Sequence, residues 1–234
     1  MGLTVTETGQ DKLSLRWRDS PPLAPLATVE DCARDFLRLF PEAGDRDPVA
    51  DWTAEAESWA EAVHRACLSL DRNGKTHNHQ SRVPRNARNA LANAIMSDPY
   101  LGDLLVDGFD DLHDGIEYIG ERIEGIGPVT TYDVAWRLAY WLGIEPTSLY
   151  LHAGVEKGAK ALGMDTRGRD RFTAGEMTGT PLGRAVKVLG DVNTLEDFLC
   201  CYRRVFELIR GGVTIGPDTD DVEWIDDEEW EWDA

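Results

Sequence analysis

Ile123-Glu124-Gly125-Ile126-Gly127-Pro128 lies between two segments with helical periodicity. Upstream, Ile116, Ile119 and Ile123 recur at helical intervals; downstream, Ala135, Leu138, Ala139 and Leu142 do the same. Two helices joined by so short a link must fold back on each other. The link reads apolar-x-Gly-apolar-Gly, and glycine adopts backbone angles that a side chain forbids, so the chain can reverse tightly there. The same glycines leave bare N–H groups at the start of the second helix, where the helix dipole favours an anion. An ordinary tight turn between helices uses the same residues, so the pattern alone leaves both readings open.

Ile-x-Gly-Ile-Gly, followed by a helix bearing Thr130 and Thr131, resembles the helix-hairpin-helix element, which grips one strand of nucleic acid by its phosphates without reading bases. The resemblance runs from Ile116 to near Leu162. Beyond the second helix, Leu149-Tyr150-Leu151-His152-Ala153-Gly154-Val155 leads into a short Lys-containing helix. This is similar to the apolar turn that carries the catalytic Asp in the helix-hairpin-helix DNA glycosylases. The chain departs from that pattern twice: His152 stands near the Asp position, and Val129 stands where some members carry a nucleophilic Lys. The resemblance implies a mostly α, glycosylase-like scaffold in which the amides of Gly125, Ile126 and Gly127 hold a phosphate, helped by the hydroxyls of Thr130 and Thr131. It leaves the base-excision chemistry open. If an acid–base group works beside the hairpin, His152, His79 and Asp133 are the candidates.

Charge both opposes and supports a polyanionic partner. The formal net charge of −19 repels phosphates at long range. The charge is segregated, however. Ten acidic residues and no basic one lie between Gly216 and Ala234. From Arg72 to Ser97 the reverse holds: Arg72, Lys75, Arg82, Arg85 and Arg88 occur with no Asp or Glu. Lys75, Arg82, Arg85 and Arg88 are therefore expected to supply counter-charge to nucleic acid. Arg167, Arg169 and Arg171 form a second basic run. The tail mixes its acids with Trp224, Trp230 and Trp232, which a purely solvating segment does not need, so it is expected to dock on a basic surface, of a protein partner or of this chain itself.

The 234 residues, 42% of them hydrophobic, suffice for one large domain or two small ones. No apolar run is long enough to span a bilayer and no secretory leader is visible, so no membrane association is expected. Cys32, Cys67, Cys200 and Cys201 lack Cys-x-x-Cys spacing and read as reduced thiols in a cytoplasmic protein. His77 and His79 lie on one face if their segment is extended, but a metal site needs further ligands from His64, Asp71, His113 or His152, so neither a metal nor a cofactor is expected. Alternating Leu3, Val5, Leu13, Leu15 and Trp17 read as a short two-stranded ribbon or an extended arm.

Apolar stripes mark helices beginning at Thr28, with Asp31 completing its cap, and at Asp47-Pro48, the latter running through Trp52 and Trp59 to Leu70. Further helices follow over Asn86–Met96, from Leu182 to Leu189, and after Asn193, where Glu196 completes a capping box. The expected organisation is an N-terminal arm (1–27), one helical helix-hairpin-helix domain (28–212) and an acidic tail (213–234). The leading expectation for function is nucleic-acid binding, with DNA the expected form. The alternatives are a protein-interaction or regulatory module working through the tail, and an enzyme on a nucleotide or modified base using the His77–Arg82 loop.

Overall fold

A computed structural model describes residues 20–41, 47–77, 80–102 and 106–216. His79, the arm residues before 20 and the tail beyond 216 lie outside the described residues. In chain order the elements are α1 (Val29–Leu39), α2 (Pro48–Ala54), α3 (Trp59–Leu68), α4 (Arg85–Ser97), α5 (Pro99–Gly102), α6 (Phe109–Gly120), α7 (Pro128–Leu142), β1 (Leu149–Tyr150), α8 (Ala153–Ala161), β2 (Arg171–Phe172), α9 (Ala174–Met177), α10 (Pro181–Leu189) and α11 (Val192–Arg210). The described chain is mostly helical, and none of its helices is long and apolar enough to cross a membrane. It divides into two compact units: Asp45–Thr147, and a second unit drawn from the segments before Gly44 and after Ser148. The span 28–212, expected as one domain, contributes to both.

In the Asp45–Thr147 unit, α7 packs against α2, α3 and α6, while α4 packs on α3 and α6. Asp47 caps α2 through the Val49 amide, with Pro48 in the first turn. The single helix expected from Asp47 to Leu70 is two. Ser58 interrupts it, because its hydroxyl accepts from the Glu61 amide and restarts the helix as α3. The core is lined by Val63, Cys67, Leu91, Ile95, Leu112, Ile116, Val134 and Leu138, all essentially without exposed surface. The polar segment after α3 is also ordered from within. The Asp71 carboxylate accepts from the Asn73 and Lys75 amides, and Leu70 bridges Thr76.

In the other unit, α11 packs along α8, α10 and α1. Thr28 and Asp31 form the expected capping box of α1. Phe36, Phe40, Phe198, Tyr202 and Phe206 make an aromatic centre, Phe36 and Phe40 stacked and the other pairs edge-on or tilted, with neighbouring ring centroids 5.0 to 6.3 Å apart. The Tyr202 hydroxyl donates to the buried Asp35 carboxylate at 2.7 Å. α8 and α11 approach closely because Gly158 has no side chain: a Cβ there would sit 2.4 Å from the Leu199 carbonyl oxygen. The apolar turn at Leu149-Tyr150 is a short strand, paired antiparallel with Phe172 and Arg171. The cap of α11 is Asp191, which accepts from the Thr194 amide; the expected Asn193–Glu196 box is not used.

Candidate functional site

The hairpin turn is built by α6 and α7. α6 ends at Gly120, where a Cβ would lie 2.6 Å from Thr131 Cγ2 and 3.0 Å from Ile126 Cγ2, so the bare glycine lets the two helices cross in contact. The Ile123 amide donates to Gly120 and the Ile126 amide to Ile123, which winds the link into consecutive tight turns. Gly125 then takes φ +87°, a left-handed conformation that favours glycine. Gly127 caps α7 in an extended conformation, with Pro128 in the first turn.

The fate of the amides decides what this turn can hold. Ile126 spends its N–H on Ile123. Gly125 and Gly127 are exposed, and their amides, with that of Val129 in the first turn of α7, have no acceptor among the described residues. The carboxylates of Glu121 and Glu124 are exposed and do not cover them. Thr130 and Thr131 are buried, and the Thr131 hydroxyl donates to the Pro128 carbonyl at 2.9 Å, so it serves the first turn of α7. Arg122 folds back on its own helix, its guanidinium 3.4 Å above the Tyr118 ring and bonded to the Tyr118 carbonyl.

The start of α4 adjoins this turn, a juxtaposition the periodicity could not reveal. A Cβ on Gly125 would meet Pro84 Cδ at 3.5 Å and the Ala87 methyl at 3.7 Å. Pro84 caps α4 with no side-chain hydrogen bond, and the first turn holds no acid, so a second helix start with uncapped amides stands beside the first. Arg82 and Arg85 are exposed there and form no ion pair among the described residues. Lys75 is likewise exposed and unpaired, farther back in the Asp71 turn. Arg88 is different: it is 7% exposed and donates to the Leu68 carbonyl inside the unit, which withdraws it from the surface. Arg72 is tied to Glu55 and lies over the Trp52 ring.

The acid–base candidates occupy structured settings. Asp133 accepts from Gln80 Nε2 at 2.7 Å and lies 3.7 Å from Arg137 Nη2. Arg137 has no exposed surface and is held by Asp47 at 2.6 Å, Ser69 Oγ at 2.7 Å and the Ala66 carbonyl at 3.2 Å. His77 Nε2 lies 3.9 Å from Asp47 at the edge of the same network. His152 belongs to the other unit, at the cap of α8, with Nε2 2.9 Å from Glu196 Oε1. There Cys200 packs against Gly154, and burial pushes its thiol well above the ordinary range, with Glu196 adding to the effect. The second basic run is neutralised locally: Arg167 pairs with Asp165, Arg169 with Glu176, and Arg171 with Asp170 and the Tyr150 hydroxyl.

Compared with known proteins, the chain matches no family model, no curated protein and no solved structure.

Proposed function

We propose that the chain binds nucleic acid, DNA in the first instance, by holding backbone phosphates at the 123–128 turn and the adjoining start of α4. The observation that carries this is the set of amides at Gly125, Gly127 and Val129 with no acceptor among the described residues, the two glycines exposed, next to the Pro84 segment that carries the unpaired Arg82 and Arg85. Amides at a helix start supply short-range, directional contacts to phosphate, and the two guanidiniums supply charge. The net charge of −19 gives no long-range attraction, so binding depends on these local contacts. Such contacts position a strand without reading its bases. Asp133 is engaged in the Arg137 network, so the proposal stops at binding and assigns no chemistry to it.

The test is fluorescence anisotropy with single- and double-stranded oligonucleotides across a salt series. Gly127 has an ordinary φ of −117°, and a Cβ there meets nothing within 4 Å, so Gly127→Glu sets a carboxylate over the amides without disturbing the turn. It is expected to weaken binding by about tenfold or more, and Arg82→Glu with Arg85→Glu to flatten the salt dependence by roughly one to two phosphate contacts. Equal affinity of wild type and both variants would show that the turn is only a turn.

A further inference from the structure

Helix α6 carries His113, Asp114 and Glu117. The helical period sets His113 and Glu117 one turn apart on one face, with Asp114 beside them. His113 Nδ1 lies 3.6 Å from Asp114 Oδ1 and 4.0 Å from Glu117 Oε2, and the three donor atoms all lie within 4.8 Å of one another. The imidazole is 3% exposed and packs against the rings of Phe109 and Tyr132, each with its centroid 6.2 Å away. The two carboxylates are far more open, at 49% and 34% side-chain exposure. A nitrogen fixed by aromatic packing thus forms the floor, and two adjustable oxygens form the rim.

The surrounding helix favours a cation here. Asp110, Asp114, Glu117 and Glu121 follow one another at intervals of three and four residues, so like charges meet along one face. Glu117 and Glu121 also sit at the C-terminal end of α6, where the dipole disfavours negative charge. The stretch from Asp107 to Glu121 itself contains no Lys or Arg. Asp111 is separately accounted for, accepting from the Tyr100 hydroxyl and the Asp107 amide.

We propose that His113, Asp114 and Glu117 bind a divalent transition-metal ion, with Zn²⁺ the best match. One imidazole nitrogen with two carboxylates is a mixed donor set that suits Zn²⁺, whereas Ca²⁺ and Mg²⁺ take all-oxygen shells. Bonds of about 2.0 Å in a tetrahedral arrangement bring donor atoms to roughly 3.3 Å apart. Rotation of the two exposed carboxylates closes that gap while the imidazole stays in place. Three protein donors leave a coordination position for water on the solvent side, the pattern of an open site. The bound ion offsets two of the four carboxylates on this face and ties Asp114 and Glu117 to the ring that packs on Tyr132 of α7. This goes beyond the nucleic-acid reading and does not depend on it.

The rival occupant of the same space is a proton on His113, ion-paired with both carboxylates, and calorimetry separates the two. Full-length protein, stripped with a chelator and dialysed, is titrated with ZnCl₂ alone, beside the Asp114→Asn, Glu117→Gln double variant. Both substitutions are at open side chains, so helicity by circular dichroism should be retained, whereas replacing the buried His113 puts folding at risk. The wild type is expected to bind one ion with a Kd of roughly micromolar or below, and the double variant to bind at least about tenfold more weakly. Absence of saturable binding, or a loss of less than tenfold in the double variant, overturns the proposal.

Discussion

Arg137 shows what one residue does in the Asp45–Thr147 unit. Its guanidinium is fully buried, and it joins Asp47 before α2, Ala66 and Ser69 at the end of α3, and its own helix α7. Removing it takes the guanidinium donors from Asp47 Oδ2 and from the Ser69 hydroxyl and Ala66 carbonyl at the end of α3. Arg137→Met is therefore expected to cost about 3 kcal/mol, measured by urea denaturation. Asp47→Asn should likewise destabilise, because it leaves the buried guanidinium with the Asp133 carboxylate 3.7 Å away. The cysteines give a second expectation at this scale. Burial pushes the Cys67 thiol up to about 12, and desolvation raises Cys32 and Cys200 as well. Thiolate is the reactive form, so these three should resist iodoacetamide at neutral pH in the native protein and react on unfolding, as read by mass spectrometry.

At the scale of the element, the α6–α7 crossing depends on Gly120 for packing, whereas Gly127 borders open space. Gly120→Ala forces a methyl into Thr131 and Ile126, so a loss of about 1–3 kcal/mol is expected. Gly127→Ala places its methyl in open space and should be nearly neutral. Equal destabilisation by the two in thermal melts would contradict the close crossing of α6 and α7. Helix α9 supplies a pH-dependent element. Glu176 is held down to about 2, against an ordinary 4.5, chiefly by the Thr173 amide and then by Arg169 and the Thr173 hydroxyl. A carboxylate depressed in the folded state stabilises fully above its unfolded value, and that contribution fades as pH falls from about 4.5 towards 2. Glu176→Gln should accordingly lower stability at pH 7 and match wild type near pH 2, in parallel denaturation curves.

For the whole molecule, charge distribution governs any encounter with a polyanion. All ten acidic residues of the segment after Gly216 lie beyond the described residues, with three tryptophans among them. A chain ending at Gly216 keeps the Leu26–Ile215 bridge and sheds those ten charges. If the tail competes for the proposed nucleic-acid surface, truncation should tighten oligonucleotide binding at low salt, and the gain should shrink at high salt as the charges are screened. If truncation abolishes association with a protein partner and no oligonucleotide binds either form, the tail is the working part and the turn is scaffold.

The helical class, the caps at Thr28 and Asp47, and the reversal at residues 123–128 were all legible from residue order. Each depends on neighbours within a turn or two: an apolar stripe, a side chain reaching the next few amides, a glycine freed from steric limits. The break at Ser58 was not foreseen and the cap of α11 was placed at Asn193 instead of Asp191, because several residues can cap a helix. The strand at Leu149-Tyr150 was missed, since its partner lies some twenty residues away. At the candidate site, periodicity pointed to exposed glycine amides. It could not distinguish Ile126, whose amide is spent, from Gly125 and Gly127, or show that Arg88 turns inward while Arg82 and Arg85 remain at the surface beside the turn. Those outcomes follow from which segments pack together, and packing is settled by the burial of whole faces rather than by the order of any few residues.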